Sequence, residues 1–264
     1  MIRSVVRNYL FIAFVLACGL LSVSPVSASD EVIILCFHTF LGTHTSSLDF
    51  SEDELAADLD KLASLGYKFV PLEDALEGKI QGNNNIAVTI DDGNHSIYGA
   101  YKNIFRPRGI KPVLFIYPAI IDRQKYALTW AQVKELYEDG CPIGAHGFYH
   151  LYLTDSAFKK DGNASLNEIE KPAGIFENHI GLTPQLFGYP FGVGSAQAET
   201  AIKNAGYDWA FLSDAKVNFV RCDDASTNRY AVPRTIVYRW NFPLIVNALK
   251  KKMNDPEKQI AQEP

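Results

Sequence analysis

The stretch Ala87-Val88-Thr89-Ile90-Asp91-Asp92-Gly93 places four apolar or β-branched residues directly before two adjacent carboxylates and a glycine. This order predicts a buried parallel strand that ends in a turn and brings two acids to one edge of a sheet. In parallel α/β sheets and barrels, the chemistry lies at the carboxyl ends of the strands. The same two aspartates also suit the N-cap and first turn of a helix at 96–105, and these seven residues alone leave both interpretations open.

On either side of this stretch, apolar strand-like runs alternate with helical patterns and are joined by short connections. Further strands are predicted at 32–37, 67–71, 112–117, 141–145, 185–189, 208–212, 230–234 and 235–238. Further helices are predicted after the capping box at 51–54, at 72–76, after the cap at Thr129, and at 165–179, 196–205 and 242–253. The alternation predicts an α/β fold, a distorted (β/α) barrel with about seven parallel strands. Because no Gly/Pro/Ser-rich linker divides the chain, we expect a single domain at 29–253.

Both ends of the chain differ in composition from this domain. Residues 1–28 carry two arginines, an apolar run at 10–21 and the small-x-small sequence Val26-Ser27-Ala28, which predicts a secretory signal peptide. A lipoprotein signal with Cys18 as the modified residue and an uncleaved anchor are the alternatives. Each of them places the folded part outside the cytoplasm, so we expect a secreted, periplasmic or cell-envelope protein. Residues 254–264 lack apolar periodicity and are predicted to be a disordered tail.

The charge balance and the cysteines exclude other classes of protein. Cleavage after residue 28 leaves 23 basic and 30 acidic residues, a net charge of −7, without a basic cluster. A nucleic-acid partner is therefore not expected, and a membrane partner only if the signal peptide is retained or lipidated. Cys36, Cys141 and Cys222 remain, and this odd number implies no disulfide framework. Cys36 and Cys141 lie in apolar strand-like runs, which is typical of buried thiols.

Ionisable residues follow or end four predicted strands: His38, the pair Asp91 and Asp92, His146, and Arg234. His150 lies four residues after His146, a spacing that places two imidazoles on one face of a helical turn. A carboxylate from a neighbouring strand completes a His-His-Asp set, which leaves positions open for water, as a catalytic zinc site requires.

These motifs together resemble the polysaccharide deacetylases (carbohydrate esterase family 4). Thr89-Ile90-Asp91-Asp92-Gly93 resembles the family's Thr/Ser-Phe-Asp-Asp-Gly motif, and His146-xxx-His150 resembles its second motif. Leu186-Phe187-Gly188-Tyr189-Pro190-Phe191-Gly192 is similar to its third motif. The resemblance covers residues 32–237, and the combination of motifs is more specific than any one of them.

The resemblance implies a role for each matching residue. Asp92, His146 and His150 would bind one divalent metal ion, with zinc the first expectation and cobalt or nickel the alternatives. Asp91 would be the general base that deprotonates the attacking water. The backbone N–H of Phe191 would lie near the developing oxyanion. Apart from the resemblance, the aromatic rings of Tyr149, Tyr189, Phe191 and Trp240 suit stacking on sugar faces of the substrate, although aromatic residues at such spacings more often build cores.

Two departures from the common family pattern narrow the resemblance. Gly188 stands where the third motif usually begins with arginine, and the C-terminal part has no clear Leu-x-His motif to supply a general acid. Both features resemble the branch that deacetylates poly-β-1,6-N-acetylglucosamine. In that branch a histidine after the first strand serves as acid, and His38 matches it, with a buried, hydrogen-bonded histidine as the alternative. Val232-Pro233-Arg234 resembles the branch's late arginine, so Arg234 is predicted to orient Asp91, with a surface ion pair as the alternative.

The sequence therefore predicts a secreted, metal-dependent N-deacetylase that acts on N-acetylglucosamine units of a surface or cell-wall polysaccharide. Peptidoglycan and chitin-type oligomers are alternative substrates. A catalytically inactive glycan-binding protein on the same fold is the alternative function, and the missing third-motif arginine is the argument for it. A glycoside hydrolase fits poorly, because its two carboxylates flank the scissile bond about 5–9.5 Å apart, whereas Asp91 and Asp92 are immediate neighbours.

Overall fold

The structure, a computed structural model, describes residues 30–254. Nine strands are found: β1 Val32–Phe37, β2 Lys68–Phe69, β3 Asn85–Asp92, β4 Val113–Ile116, β5 Ile143–Ala145, β6 Leu186–Gly188, β7 Trp209–Asp214, β8 Phe219–Val220 and β9 Val232–Ile236. The described part also holds eight α-helices: α1 Glu52–Ser64, α2 Leu72–Leu76, α3 Ser96–Ala100, α4 Trp130–Glu138, α5 Asp155–Lys160, α6 Gly162–Ile180, α7 Ala196–Asn204 and α8 Phe242–Met253. A π-helical turn at Tyr101–Phe105 continues α3.

Seven of the strands close into a barrel. The parallel order is β1-β3-β4-β5-β6-β7-β9, and β9 pairs in turn with β1. β2 adds a short parallel pairing to the start of β3, and β8 pairs antiparallel with the start of β1. The predicted single-domain, distorted (β/α) barrel with seven parallel strands is therefore confirmed.

Buried apolar side chains form two layers, one on each face of the barrel wall. The larger layer joins the outer face of the strands to the helices. The smaller layer contains alternate residues of the strands, together with α2 side chains at one end: Val32, Ile34, Ala87, Val113, Phe115, Leu186, Trp209, Phe211 and Val232. This alternation is the period of two expected for extended chains, and it identifies the smaller layer as the barrel interior.

The register of the first two barrel strands fixes the height of the candidate site. Phe37 of β1 lies opposite Ile90 of β3, so His38 and Asp91 follow at the same level. On the other side of β3, Asp91 lies opposite Phe115 of β4. The carboxyl ends of the strands therefore form one rim that carries the polar residues, as in other parallel barrels.

Several predicted element boundaries were wrong. The two strands predicted at 230–234 and 235–238 are the single strand β9, because no turn interrupts Arg234 and Thr235. Helix α5, capped by the Thr154 side chain, and strand β8 lie in segments that were predicted to be irregular. The predicted capping box at Ser51 and the predicted helix cap at Thr129 are confirmed, and Thr129 also forms a capping box.

The predicted signal peptide (1–28) and residues 255–264 of the predicted tail lie outside the described residues. Within 30–254, none of the helices combines the length and apolar character that a membrane crossing demands.

Gly144 of β5 offers a stability test of the barrel interior. A Cβ built there would lie 2.5 Å from the Phe115 ring and 3.0 Å from the Leu186 carbonyl oxygen. We expect Gly144→Ala to destabilise the protein by about 1–3 kcal/mol, as overpacking does. The matched control is Gly174→Ala, because Gly174 lies in α6 with open space around it. Gly174→Ala should raise the free energy of unfolding by about 0.5–1 kcal/mol, because alanine suits a helix interior better than glycine. Urea unfolding measures both, and equal stabilities would contradict the tight packing described here.

Candidate active site

A cavity of about 450 Å³ lies at the carboxyl ends of the strands. Its lining is His38, Leu48, Asp91, Asp92, His146, His150, Tyr152, Phe191, Gly192, Ser213, Ile236 and Tyr238. A larger cavity of about 860 Å³ is lined by α2 and by residues at the amino ends of β6 and β7, including Glu73, Gln185 and Asp208. The smaller cavity therefore holds the histidines and aspartates that the sequence singled out.

Asp91 and Asp92 project in different directions from the end of β3. Asp91 continues the extended alternation, and its side chain is 3% exposed inside the barrel. Asp92 has φ of 77°, a left-handed conformation that is uncommon outside glycine, and its side chain is 33% exposed at the rim. Neither aspartate caps α3, whose N-cap residue is His95. The helix-cap interpretation of the two acids is therefore wrong.

Asp92, His146 and His150 form a group that suits a metal ion. Their ligand atoms lie within 4.8 Å of one another. Asp92 Oδ1 is 3.6 Å from His146 Nε2 and 3.4 Å from His150 Nε2. A tetrahedral ion with bonds of about 2.0–2.1 Å places its ligand atoms about 3.3–3.4 Å apart. The donor set and its spacing fit a divalent ion such as zinc.

The surroundings of His146 fix which nitrogen faces this group. Its Nδ1 lies 2.8 Å from the Gly188 carbonyl oxygen, which can only accept a hydrogen bond. The Nδ1 atom therefore carries the proton, and the Nε2 lone pair faces Asp92 and His150. Burial lowers the pKa of His146 to about 3, and burial also lowers the pKa of His150. Both imidazoles are neutral at pH 7, as ligation requires.

The predicted helical turn between the two histidines was wrong. His146 follows β5 directly, and the segment to His150 is an irregular loop. Gly147 has φ of 73° and His150 has φ of 65°. The loop folds back through these left-handed residues, and this places the two imidazole centroids 4.8 Å apart.

Arg234 forms a buried ion pair with Asp91 inside the barrel, past the intervening strand β1. Its Nη1 donates to Asp91 Oδ1 at 2.6 Å, and its Nη2 donates to Asp91 Oδ2 at 2.8 Å. Nη1 also donates to Thr89 Oγ1 and Nε to the Leu212 carbonyl. The side chain of Arg234 is fully buried, so the alternative of a surface ion pair is wrong. Arg234 lies within β9 rather than at its end, which corrects the predicted position at a strand end.

This pair sets the charge of Asp91. Burial alone would raise the pKa of Asp91, but the Arg234 guanidinium, together with His146 and His38, holds it well below its usual range. The Asp91 carboxylate in turn raises the pKa of Arg234, although burial of the guanidinium acts in the opposite direction. Asp91 is therefore a carboxylate throughout the physiological pH range.

The packing around Phe115 explains why the third motif begins with glycine here. The Arg234 guanidinium lies over the Phe115 ring, 4.8 Å from its centroid. A Cβ on Gly188 would lie 2.8 Å from that ring and 3.1 Å from His146 Nδ1. Gly188 and Gly144 thus leave room for the Phe115 ring, and the ring supports a guanidinium that comes from β9 instead of β6.

His38 and Cys36 complete the surroundings of Asp91. One nitrogen of His38, the Cys36 sulfur and a carboxylate oxygen of Asp91 lie within 4.8 Å of one another. His38 is partly buried, and its Nδ1 atom is enclosed without a hydrogen-bond partner. Burial lowers the pKa of His38, although Asp91 opposes the shift. The Cys36 thiol donates a hydrogen bond of 3.3 Å to Asp91 Oδ2. Sequence reasoning missed this contact, although the period of two from His38 places Cys36 on the same face.

The third-motif residues lie at different depths. Phe191 lines the cavity with φ of 60°, is 47% exposed, and stacks on Tyr152 at 3.8 Å between centroids. Tyr189 is fully buried, and its hydroxyl donates to the Tyr230 carbonyl. The interpretation of Tyr189 as a substrate-contacting residue is therefore corrected, because its ring belongs to the core. Tyr149 and Trp240 are exposed, and Trp240 stacks on Tyr238 at the cavity wall.

Residues 78–210, half of the chain, match the polysaccharide deacetylase family. The chain belongs to that family. The span includes Asp91, Asp92, His146, His150 and Phe191. His38 and Arg234 lie outside it.

A curated relative within this family is the putative polysaccharide deacetylase YxkH of Bacillus subtilis. The two sequences are 25% identical over 185 residues, which is 69% of this chain and 64% of YxkH. The match thus spans less than two-thirds of that relative.

Solved structures have the same deacetylase fold. IcaB from Ammonifex degensii superposes with a TM-score of 0.72 and 26% identity, over 84% of this chain and 98% of IcaB. A de-N-acetylase from Aggregatibacter actinomycetemcomitans gives a TM-score of 0.70 at 17% identity, over 83% of this chain and all of its own. The deacetylase PplD from Streptococcus pyogenes gives a TM-score of 0.71 at 15% identity, over 84% of this chain and 99% of PplD. The last two show the fold alone.

Arg234→Met should leave the Asp91 carboxylate buried without its cation. We expect a loss of about 3–5 kcal/mol in the free energy of unfolding at pH 7. The wild-type pair lowers the folded-state pKa of Asp91 below the unfolded value of about 3.9, so it stabilises the fold above that pH. In the variant the pKa of Asp91 rises, and the deficit should shrink as the pH falls. Urea unfolding from pH 4.5 to pH 8 measures this.

The control for that substitution is Arg221→Met, which removes an exposed pair with Asp224 at 3.4 Å. It should cost no more than about 1 kcal/mol. The double variant Asp91→Asn/Arg234→Met should recover part of the loss, because it buries no unpaired charge. Equal losses for Arg234→Met and Arg221→Met would contradict the proposed importance of the buried pair.

Proposed function

We propose that the chain is a metal-dependent N-deacetylase that hydrolyses the acetamide of N-acetylglucosamine units in a surface or cell-wall polysaccharide. One observation carries the proposal. A single cavity brings the His146, His150 and Asp92 donors beside the Asp91–Arg234 ion pair and His38. Family membership supports a hydrolase acting on a polysaccharide. The resemblance of His38 and Arg234 to the poly-β-1,6-N-acetylglucosamine branch supports that polymer as the first substrate to test.

Asp92, His146 and His150 would hold the metal ion, with zinc preferred and cobalt or nickel also suitable for this donor set. When bound, the ion lowers the pKa of water and polarises the amide carbonyl. Asp91 stands beside these donors, with Oδ2 3.7 Å from His146 Nε2. Because Arg234 keeps it ionised, Asp91 is ready to take a proton from the attacking water.

The remaining groups act after attack on the carbonyl carbon. Phe191 lines the cavity, and its backbone N–H would donate to the developing oxyanion. As the C–N bond breaks, the protonated form of His38, which the neighbouring Asp91 carboxylate favours, donates its proton to the leaving amine, and the products are acetate and a glucosamine unit. His38 and Asp91 flank the reacting centre at the same height of the barrel, which suits an acid and a base acting in turn.

The alternative of an inactive glycan-binding protein is less well supported. Its argument was the missing third-motif arginine, but Arg234 supplies a guanidinium to Asp91 from β9. The exposed rings of Tyr149 and Trp240 suit glycan contact under either function. We further propose export across the cytoplasmic membrane by residues 1–28, and no nucleic-acid partner.

The decisive experiment is an acetate-release assay on the protein loaded with zinc, cobalt or nickel. Oligomers of β-1,6-linked and β-1,4-linked N-acetylglucosamine and peptidoglycan fragments are compared as substrates. We expect release from at least one of them, and loss of release after chelation. Glycan binding without acetate release under any metal would favour the binding-protein alternative instead.

Asp91→Asn separates the base from the metal group. We expect the variant to bind metal like the wild type and to lose about 10²–10⁴-fold in kcat, the usual contribution of a general base. His146→Ala, by contrast, should lose both metal and activity. Metal content by elemental analysis is measured beside turnover. An Asp91→Asn enzyme as active as wild type would falsify the base assignment.

His38→Gln tests the acid. The amide keeps the approximate size of the side chain but cannot deliver a proton, so we expect kcat to fall by about 10²-fold or more with metal content unchanged. The alkaline limb of the kcat profile should disappear, because a general acid is lost as it deprotonates. His179→Gln is the matched control, since His179 stacks on Trp130 away from the cavity. An unchanged alkaline limb in His38→Gln would remove His38 from the mechanism.

A further inference from the structure

Glu168 of α6 is a fully buried acid that the motifs did not include. Within residues 30–254 no lysine, arginine or histidine forms an ion pair with it. A buried carboxylate is costly unless hydrogen bonds satisfy its oxygens. The identity of its donors therefore shows what the side chain does.

The Glu168 carboxylate accepts hydrogen bonds from backbone N–H groups on either side of His150. The N–H of Phe148 donates at 3.1 Å, that of Tyr149 at 2.9 and 3.0 Å to the two oxygens, and that of Leu151 at 3.0 Å. Successive N–H groups that converge on one anion form a concave backbone nest. Here the anion belongs to the protein itself.

The conformation of the loop depends on this arrangement. Gly147 and His150 both have left-handed φ, and His150 is a residue that such a backbone disfavours. A Cβ on Gly147 would lie 2.6 Å from Glu168 Oε2, so the loop wraps closely around the carboxylate. In this strained loop conformation the His150 imidazole lies 3.4 Å from Asp92. The hydrogen bonds to Glu168 offset the cost of the strain.

We propose that Glu168 is a positioning residue for the metal site, which it preorganises by holding the His146–His150 loop in its ligating conformation. The inference rests on the metal site of the proposed function. Glu168 does not line the cavity, and it acts through the backbone of the loop. Groups that orient metal ligands in this way typically change metal affinity by about 10–100-fold when they are removed.

The test is Glu168→Gln, which keeps the side-chain shape but replaces one accepting oxygen with an NH₂ group. We expect affinity for cobalt(II) and zinc, measured by chelator competition on metal-free protein, to fall about 10–100-fold. The visible spectrum of the cobalt form should also change, since it reports ligand geometry. Glu170→Gln is the matched control: the same substitution in the same helix, at an exposed residue, with affinity and spectrum unchanged.

Wild-type affinity and an unaltered cobalt spectrum in folded Glu168→Gln would overturn the proposal. A wild-type protein that binds no metal would instead overturn the proposed function, so the two failures are distinct. If Glu168→Gln does not fold, hydrogen exchange in the metal-free wild type decides. The amides of Phe148, Tyr149 and Leu151 should be protected without metal, because Glu168 orders them. Unprotected exchange at these amides would contradict preorganisation.

Discussion

The structure of the site depends on the buried ion pair between Asp91 and Arg234. Both side chains leave water, and such a pair is tolerated only when its geometry is good and the remaining polar atoms are satisfied. The bidentate contact, the Thr89 hydroxyl, the Leu212 carbonyl and the Phe115 ring meet these conditions. The pair also fixes the charge of Asp91, because the guanidinium overcomes the burial that would otherwise favour the protonated acid. The same contact thus determines the packing of the upper barrel interior and the ionisation of the candidate base.

Asp91 and Asp92 have different surroundings because their backbone conformations differ. Regular extension directs Asp91 into the barrel, and the left-handed conformation of Asp92 directs its carboxylate to the histidines at the rim. Three of the left-handed residues other than glycine, Asp92, His150 and Phe191, line the same cavity. Such conformations cost about 1–3 kcal/mol each and persist where the surroundings hold them. Strand pairing holds Asp92, and the Glu168 carboxylate holds the loop of His150.

The sequence predicted the elements whose signal is local. Apolar runs and capping boxes located most strands and helices, and Asp-Asp-Gly with the histidine pair located the metal group. Contacts set by closure of the barrel were harder to predict. The pairing of Arg234 with Asp91 was predicted only from a resemblance. Cys36 and Glu168 were missed as partners, and Tyr189 was placed at the site although its ring is in the core. The turn between the histidines was predicted to be helical, because the i,i+4 spacing gives no information on the left-handed residues that fold the loop back.

Barrel closure also explains why an arginine can come from a different strand. In a closed barrel, interior side chains at one height surround a common axis, so neighbours of Asp91 can be supplied from either direction around the wall. The metal donors come from β3 and from the segment after β5, all within the part that matches the family. Arg234 of β9, Cys36 of β1 and His38, which follows β1, surround Asp91. They meet because β9, β1 and β3 are consecutive in the barrel, although Cys36 and Arg234 are far apart in sequence. The glycine at position 188 follows from this arrangement, because a side chain there would displace the Phe115 ring that packs against the Arg234 guanidinium.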